Sequence, residues 1–232
     1  MTKTEMSRAD VEAMIQAADG KLIDLHDKAL SGLDLSGLDL RSVNLRTARL
    51  NNVNLRCADL SGANLEQAWL LKADLSGVKL ADAKMFGITA RDANLSGADL
   101  SRSMPIGDFK GADMSGASLV DLKDGADIKN QSMGLIRVVF TSVNLSGANL
   151  KGGNLGRSRL EYANLKEADL TGVVLMGSDL SGANLTGATV TGADFKNVDV
   201  SDARLIDLKG QFEAKDWAER VNIDRAVTQA SD

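Results

Sequence analysis

The 232-residue chain carries one Cys, one His and eight aromatics, which provides for neither a disulfide framework nor a thiolate or histidine metal cluster. Its 27 Lys and Arg against 32 Asp and Glu leave a net charge of −5, too weak and of the wrong sign for direct nucleic-acid binding. No apolar run approaches the roughly 20 residues of a membrane span, and Met1 to Ser7 lacks a signal peptide's apolar stretch, so the expectation is a cytoplasmic protein without membrane contact.

The first predicted element is a short N-terminal helix within residues 1–21. Ser7-Arg8-Ala9-Asp10 has N-cap character, with a carboxylate three residues after the Ser. Val11, Met14, Ile15 and Ala18 follow at helical spacing, and Asp19-Gly20 supplies a stop. The expected role is a cap over the strand edge that a stacked β-structure exposes at its end.

A five-residue beat then occupies residues 22–208. Leu recurs at 30, 35, 40, 45, 50, 55, 60, 65, 70, 75, 80, 95 and 100, with Met85 and Ala90 in the gaps. The beat returns at Phe140 and runs through Leu185 to Val190, Phe195, Val200 and Leu205. Two residues before each centre stands a small or β-branched residue such as Val43 or Ala58; Asp or Asn most often lies between, and Ser-Gly frequently follows. Five fits neither a 3.6-residue helix nor a long alternating strand. Residues two apart in a short extended segment share a face, so the small residue and the centre point inward while the Asp or Asn points out. Ser-Gly then turns a corner, in keeping with 25 Asp against only 7 Glu. No pentad buries its apolar side alone, so the coils must stack into a solenoid.

These residues resemble the pentapeptide-repeat family, whose A-[DN]-L-x-x consensus appears as Ala58-Asp59-Leu60-Ser61-Gly62 and Ala183-Asn184-Leu185-Thr186-Gly187. The resemblance implies an all-β fold, a right-handed quadrilateral β-helix with four pentads per coil and about nine coils. Some family members mimic duplex DNA in width and charge, bind type II topoisomerases such as DNA gyrase, and protect them from quinolones.

The beat falters over residues 101–139. Met104, Phe109, Met114 and Leu119 keep a spacing of five but sit one residue early, with Met104-Pro105 at the slip. From Leu119 to Ile128 and on to Phe140 the steps are nine and twelve, so residues 120–139 are expected to project as loops or to form a structural joint. In residues 209–232, Phe212 to Val227 reads as a C-terminal helix with Trp217, Ala218 and Val221 on one side. Phe212, Trp217 and Val221 are its candidate cap residues, or the seam of a homodimer formed through this end.

Chemistry is sparse. No glycine fingerprint leads into a helix, and the recurrent Asp and Asn serve turns, so no catalytic residue, metal site or cofactor is expected. His26 beside Asp27 and Cys57 at a corner read as solvated side chains. Two functions of different class remain. The first is a rigid protein-interaction scaffold of unknown partner, with candidate contacts Trp69, Leu71 and Phe86 as outward apolar side chains and Asp121, Lys123 and Asp124 in the irregular segment. The second is the topoisomerase-binding DNA mimic, its candidate acidic surface being Asp169, Asp179, Asp194, Asp199 and Asp202. Residues 30–205 hold 19 Lys and Arg against 20 Asp and Glu, nearly neutral, and Leu and Ala stand where quinolone-protective relatives favour Phe and Cys. Both weigh toward the scaffold.

Overall fold

Corners form because the outward Asp or Asn folds its own side chain back onto the chain. Oδ1 of Asp34, Asn54, Asp74 and Asn94 accepts the backbone N–H two residues on, at 3.0, 3.1, 3.1 and 3.0 Å. The second corner residue then adopts left-handed backbone, as at Gly62 (φ 69°) and Asp82 (φ 59°). Gly takes this conformation without a Cβ clash and a short Asp tolerates it. The computed structural model describes residues 6–19, 21–123 and 138–229.

Twenty residues, four pentads, close one coil. Parallel single-residue bridges join Asp24 to Asn44, Ala29 to Arg49, Asp34 to Asn54 and Asp39 to Asp59, which define the first to fourth faces. Backbone bonds run in both directions around each rung: Asp59 N–H donates to Leu38 C=O at 2.9 Å and Leu60 N–H to Lys79 C=O at 2.8 Å. The second face counts ten rungs from Ala29 to Val221, so at about 4.8 Å between strands the β-helix is roughly 45 Å long. Asp39, Asp59, Lys79 and Asp99, twenty residues apart in turn, form one ladder of the fourth face. Inside, the Leu centres and the small residues beside them are fully buried in one continuous cluster.

At the N-terminal end lies α1 (Arg8–Ala18). Ser7 and Asp10 form a reciprocal capping box, with Ser7 N–H donating to Asp10 Oδ2 at 2.8 Å. Val11 is fully buried in the core cluster, and Arg8 donates to the Asp34 carbonyl at 3.1 Å. The helix therefore packs on the first coils.

The structure relocates the slip near Pro105. Met104 is a ladder residue paired with Lys84, and Pro105 is buried in the centre position that the sequence reading had given to Met104. The short pentad is the next one, which runs through β2 (Gly107–Asp108) to the centre Phe109 and pairs with β1 (Ile88–Thr89). Pro fits the centre because the following residue supplies the turn: Ile106 N–H donates to Met104 C=O at 2.9 Å. Phe109, Met114 and Leu119 are buried centres as expected. Ile88 in the small slot and Ala90 at the centre are both buried, the reverse of the usual sizes, and the bulk of Ile88 is matched in the next coil by Gly107. A Cβ on Gly107 would stand 2.3 Å from the Ile88 carbonyl oxygen and 2.6 Å from its Cγ2.

Residues 120–123 still belong to the coil. Leu122 is buried, Asp121 N–H donates to Lys151 C=O at 2.8 Å and Lys123 N–H to Ser103 C=O at 2.9 Å. The ladder resumes on the second face, where Val139 pairs with Asp108. Ile128 and Asp124 lie outside the described residues. Phe109 and Phe140 meet edge to face across this joint, ring centres 5.5 Å apart.

At the C-terminal end the predicted helix is absent. Residues 209–227 instead form one more coil with a six-residue beat: Lys209, Lys215, Val221 and Val227 pair with Thr189, Asp194, Asp199 and Arg204. Pair separation grows from 20 to 23 residues, and the added residues are absorbed in 3-10 turns Gln211–Glu213, Trp217–Glu219 and Ile223–Arg225. A free helix would have left the N–H and C=O groups of the last regular coil unpaired; continuing the ladder satisfies them.

Two predictions follow from this packing. Leu60→Ala should cost about 2–5 kcal/mol in urea unfolding, since a fully buried methyl pair leaves a cavity that neighbouring coils cannot close; Gly107→Ala should also lower the midpoint, because the Ile88 backbone blocks the added carbon. Acid should loosen the rod. Bonds from Ser36 to Asp34, from Arg41 to Asp39 and from Arg102 and Lys123 to Asp82 hold these carboxyls below the usual 3.8. The folded chain thus binds fewer protons than the unfolded one in that range. Their contribution is complete above the unfolded carboxyl value and is lost as pH falls through the depressed ones, so the urea midpoint should drop between pH 5 and about pH 2; each exposed pair adds only a small part.

Candidate functional site

The second face carries the most conspicuous surface feature. Trp69 is a ladder residue between Arg49 and Thr89, where the other faces mostly bear Asp, Asn or short polar side chains. Its indole is 56% exposed. It borders a shallow open depression lined by Asp27, Thr47, Arg49, Gln67 and Gly87, the last four drawn from three successive coils. Leu71, 37% exposed, follows on the same coil at the corner toward the third face. Phe86 is half-buried on the next coil, at the corner leading into the second face, and offers less free surface than an outward position suggested. The three apolar groups thus span the second face from corner to corner over two rungs. Arg46, Arg49 and Lys72 flank them and form no ion pair among the described residues. An aromatic plate with adjacent cations suits an apolar partner segment that carries acidic residues.

The other candidates are scattered. Asp121 sits at the corner between the fourth and first faces and Lys123 at the adjoining ladder position of the first face, its Nζ 3.3 Å from Asp82, within a cluster that also holds Arg102. Neither lies on the second face with Trp69. The five acidic candidates occupy three faces and a corner. Asp169 stands on the fourth face, 3.0 Å from Lys151; Asp194 is on the first; Asp179 and Asp199 are successive rungs of the second, with Arg159 next below. Asp202, at the following corner, pairs with Arg225. At the C-terminal end Phe212 is 92% exposed and Val221 points outward, while Trp217 turns in to meet Phe195 edge to face at 4.7 Å.

His26 Nδ1 lies 2.9 Å from Asp24 Oδ1, the side-chain bond that, foremost among its contacts, holds the Asp24 carboxyl below its usual range. Cys57 is exposed at its corner. Sequence reasoning overlooked Arg49 and Gln67, which join Trp69 only through the 20-residue register, and Tyr162, 69% exposed. Tyr162 takes left-handed backbone (φ 57°) at a corner position held elsewhere by Gly or by polar residues such as Asp and Asn; a Tyr there is the signal that would have found it.

Comparison with known proteins agrees with this architecture. The family of pentapeptide repeats matches residues 29–67, 58–87, 70–103, 139–175 and 174–207. No curated protein sequence matches significantly. Among solved structures, the chain is similar to HetL of the cyanobacterium Nostoc sp. strain PCC 7120, a pentapeptide repeat protein involved in heterocyst differentiation regulation, at 26% identity and a TM-score of 0.56, covering 96% of this chain and 95% of that one. A pentapeptide repeat protein of the Arabidopsis thaliana thylakoid lumen matches at 33% identity and TM-score 0.42 over 43% of this chain and 70% of its own. The plasmid-mediated fluoroquinolone resistance protein QnrB1 matches at 19% identity and TM-score 0.43 over 87% and 89%. With its repeats matched over more than half its length and stacked twenty residues to the coil, the chain belongs to the pentapeptide repeat family.

Proposed function

We propose that this protein is a non-catalytic, cytoplasmic scaffold, a right-handed β-helix that holds a protein partner against its second face around Trp69. The carrying observation is the exposed indole at a ladder position, with Leu71 beside it on the same coil and, around it, Arg46 and Arg49 with no ion pair among the described residues. A rigid ladder suits the role because its side chains are held in place before the partner arrives, which lowers the ordering cost of binding. The regulatory involvement of HetL supports a binding role over a chemical one.

The topoisomerase-binding alternative draws less support. Its acidic residues are dispersed over the faces, and Asp169 and Asp202 are each neutralised by a neighbouring cation. A basic DNA saddle would meet mixed charge along each face.

The test is partner capture from the native lysate by wild-type protein and by Trp69→Ala and Leu71→Ser variants. Loss of a central Trp anchor should weaken the captured complex about 30-fold, corresponding to ~2 kcal/mol. Stability should change by less than about 0.5 kcal/mol, since neither side chain belongs to the core. Undiminished capture by the double variant would refute the second-face reading. In parallel, micromolar protein should leave DNA gyrase supercoiling and its quinolone sensitivity unchanged; protection would favour the mimic.

A further inference from the structure

The last coil contains a charge with no counter-charge among the described residues. Inward slots on the second face hold Ala48, Ala68, Ile88, Gly107, Val138, Ser158, Ser178 and Val198 in successive coils, all buried except the half-buried Gly107. In the last coil this slot belongs to Arg220, immediately before the ladder residue Val221. Its guanidinium carbon lies 3.7 Å from the centre of the Trp217 ring, which rests edge-on against Phe195. Nε and Nη1 are buried and have no hydrogen-bond partner among the described residues. Burial also lowers the proton affinity of the group, so a counter-charge would relieve a real cost. Glu219, its neighbour in the chain, lies 3.7 Å from Lys196 instead.

The backbone beside it is equally open. In the coil below, Val198 C=O accepts from Val221 N–H at 2.8 Å, and Val200 N–H donates to Val221 C=O at 3.1 Å. The corresponding groups one coil up are the Arg220 carbonyl and the Asn222 N–H, and neither has a backbone partner among the described residues. They are spaced to hold one residue of an extended segment in parallel register. In that register the residue before the paired one stacks on Arg220 and points inward, as Arg220 itself stacks on Val198.

We propose that the C-terminal end of the rod is a docking edge for an extended acidic segment of a partner protein. Its Asp or Glu, one residue before the residue that pairs above Val221, binds the Arg220 guanidinium. Charge complementarity selects the occupant. An apolar inward residue would leave the arginine unpaired, and a basic one would repel it. A carboxylate draws the guanidinium off the Trp217 face and satisfies its donors with charge-assisted bonds. Trp217 then remains as the apolar floor. This site lies several rungs from Trp69 and does not depend on the second-face reading.

The probe is a fluorescein-labelled peptide, Ser-Thr-Val-Glu-Val-Thr-Ser, with its Glu→Gln counterpart as control, measured by anisotropy against the full chain. The Glu peptide should bind saturably, at least 10-fold more tightly than the Gln peptide, and Arg220→Gln should erase the difference. The Arg220 Nε–Hε resonance should shift on adding the Glu peptide alone. Arg220→Lys, which keeps the charge but lacks the planar fork, should recover only part of the preference. Trp69→Ala should leave this binding unchanged, which separates its outcome from that of partner capture on the second face. Equal binding of the two peptides, no saturable binding at millimolar peptide, or an unshifted Nε–Hε resonance would each overturn the proposal. So would sedimentation showing a dimer that Arg220→Gln dissociates, since the occupant would then be a second copy of the chain.

Discussion

No coil of this rod can exist by itself. A single turn of four pentads encloses too little volume to shield its Leu side chains, and every ladder residue turns its N–H and C=O to the coil before while its chain neighbours turn theirs to the coil after, groups that only adjacent coils can satisfy. Stability is therefore a property of stacking. The same constraint sets the composition: the interior is narrow enough that a Leu at the centre demands a small residue beside it. Where one slot grows, as at Ile88, its neighbour shrinks to Gly107.

Stacking also organises the surface. Residues twenty apart become neighbours about 4.8 Å apart, closer than most sequence neighbours on one face. Third-face pairs show the result: Asn54 Nδ2 donates to Asp34 at 3.0 Å and Asn144 Nδ2 to Asp113 at 2.9 Å, so an amide separates successive carboxylates. On the fourth face Lys79 plays that part, 3.4 Å from Asp59. Like charges in direct succession would repel, and mixing them costs the rod a uniformly negative flank. An indole in such a column contributes nothing to the ladder's polar pairing, which is why Trp69 draws attention to itself.

The five-residue beat was legible because its cause is local: each corner needs its Asp or Asn, each interior its Leu, and both recur visibly. Asp39, Asp59, Lys79 and Asp99 could be aligned before any coordinates for the same reason. What escaped depends on neighbours in space. Met104 looked like a centre because it is apolar, yet the buried place belongs to Pro105, and only pairing with Lys84 decides between them. Phe212 to Val227 has helical spacing of its apolar residues, but Leu208, Ala214 and Ala226 also fit a beat of six, and the open edge beneath them chose the ladder. Arg220 gave no warning at all, since an arginine in an inward slot contradicts the pattern that made the rest readable. Of the site, Trp69 and Leu71 were visible as apolar exceptions; the depression formed with Arg49 and Gln67 was not, because it is assembled from successive coils.

The twenty-residue step has an evolutionary corollary. Duplicating or deleting one whole coil alters only the height of the rod, and every downstream side chain keeps its compass direction. Adding a lone pentad turns all that follows by a quarter, and surfaces once aligned part company. The shortened pentad near Pro105 and the extra residues before Val139 avoid this penalty, because the ladders above each of them resume their bearings. Lineages of such proteins should therefore vary freely in whole coils and sparingly in quarters.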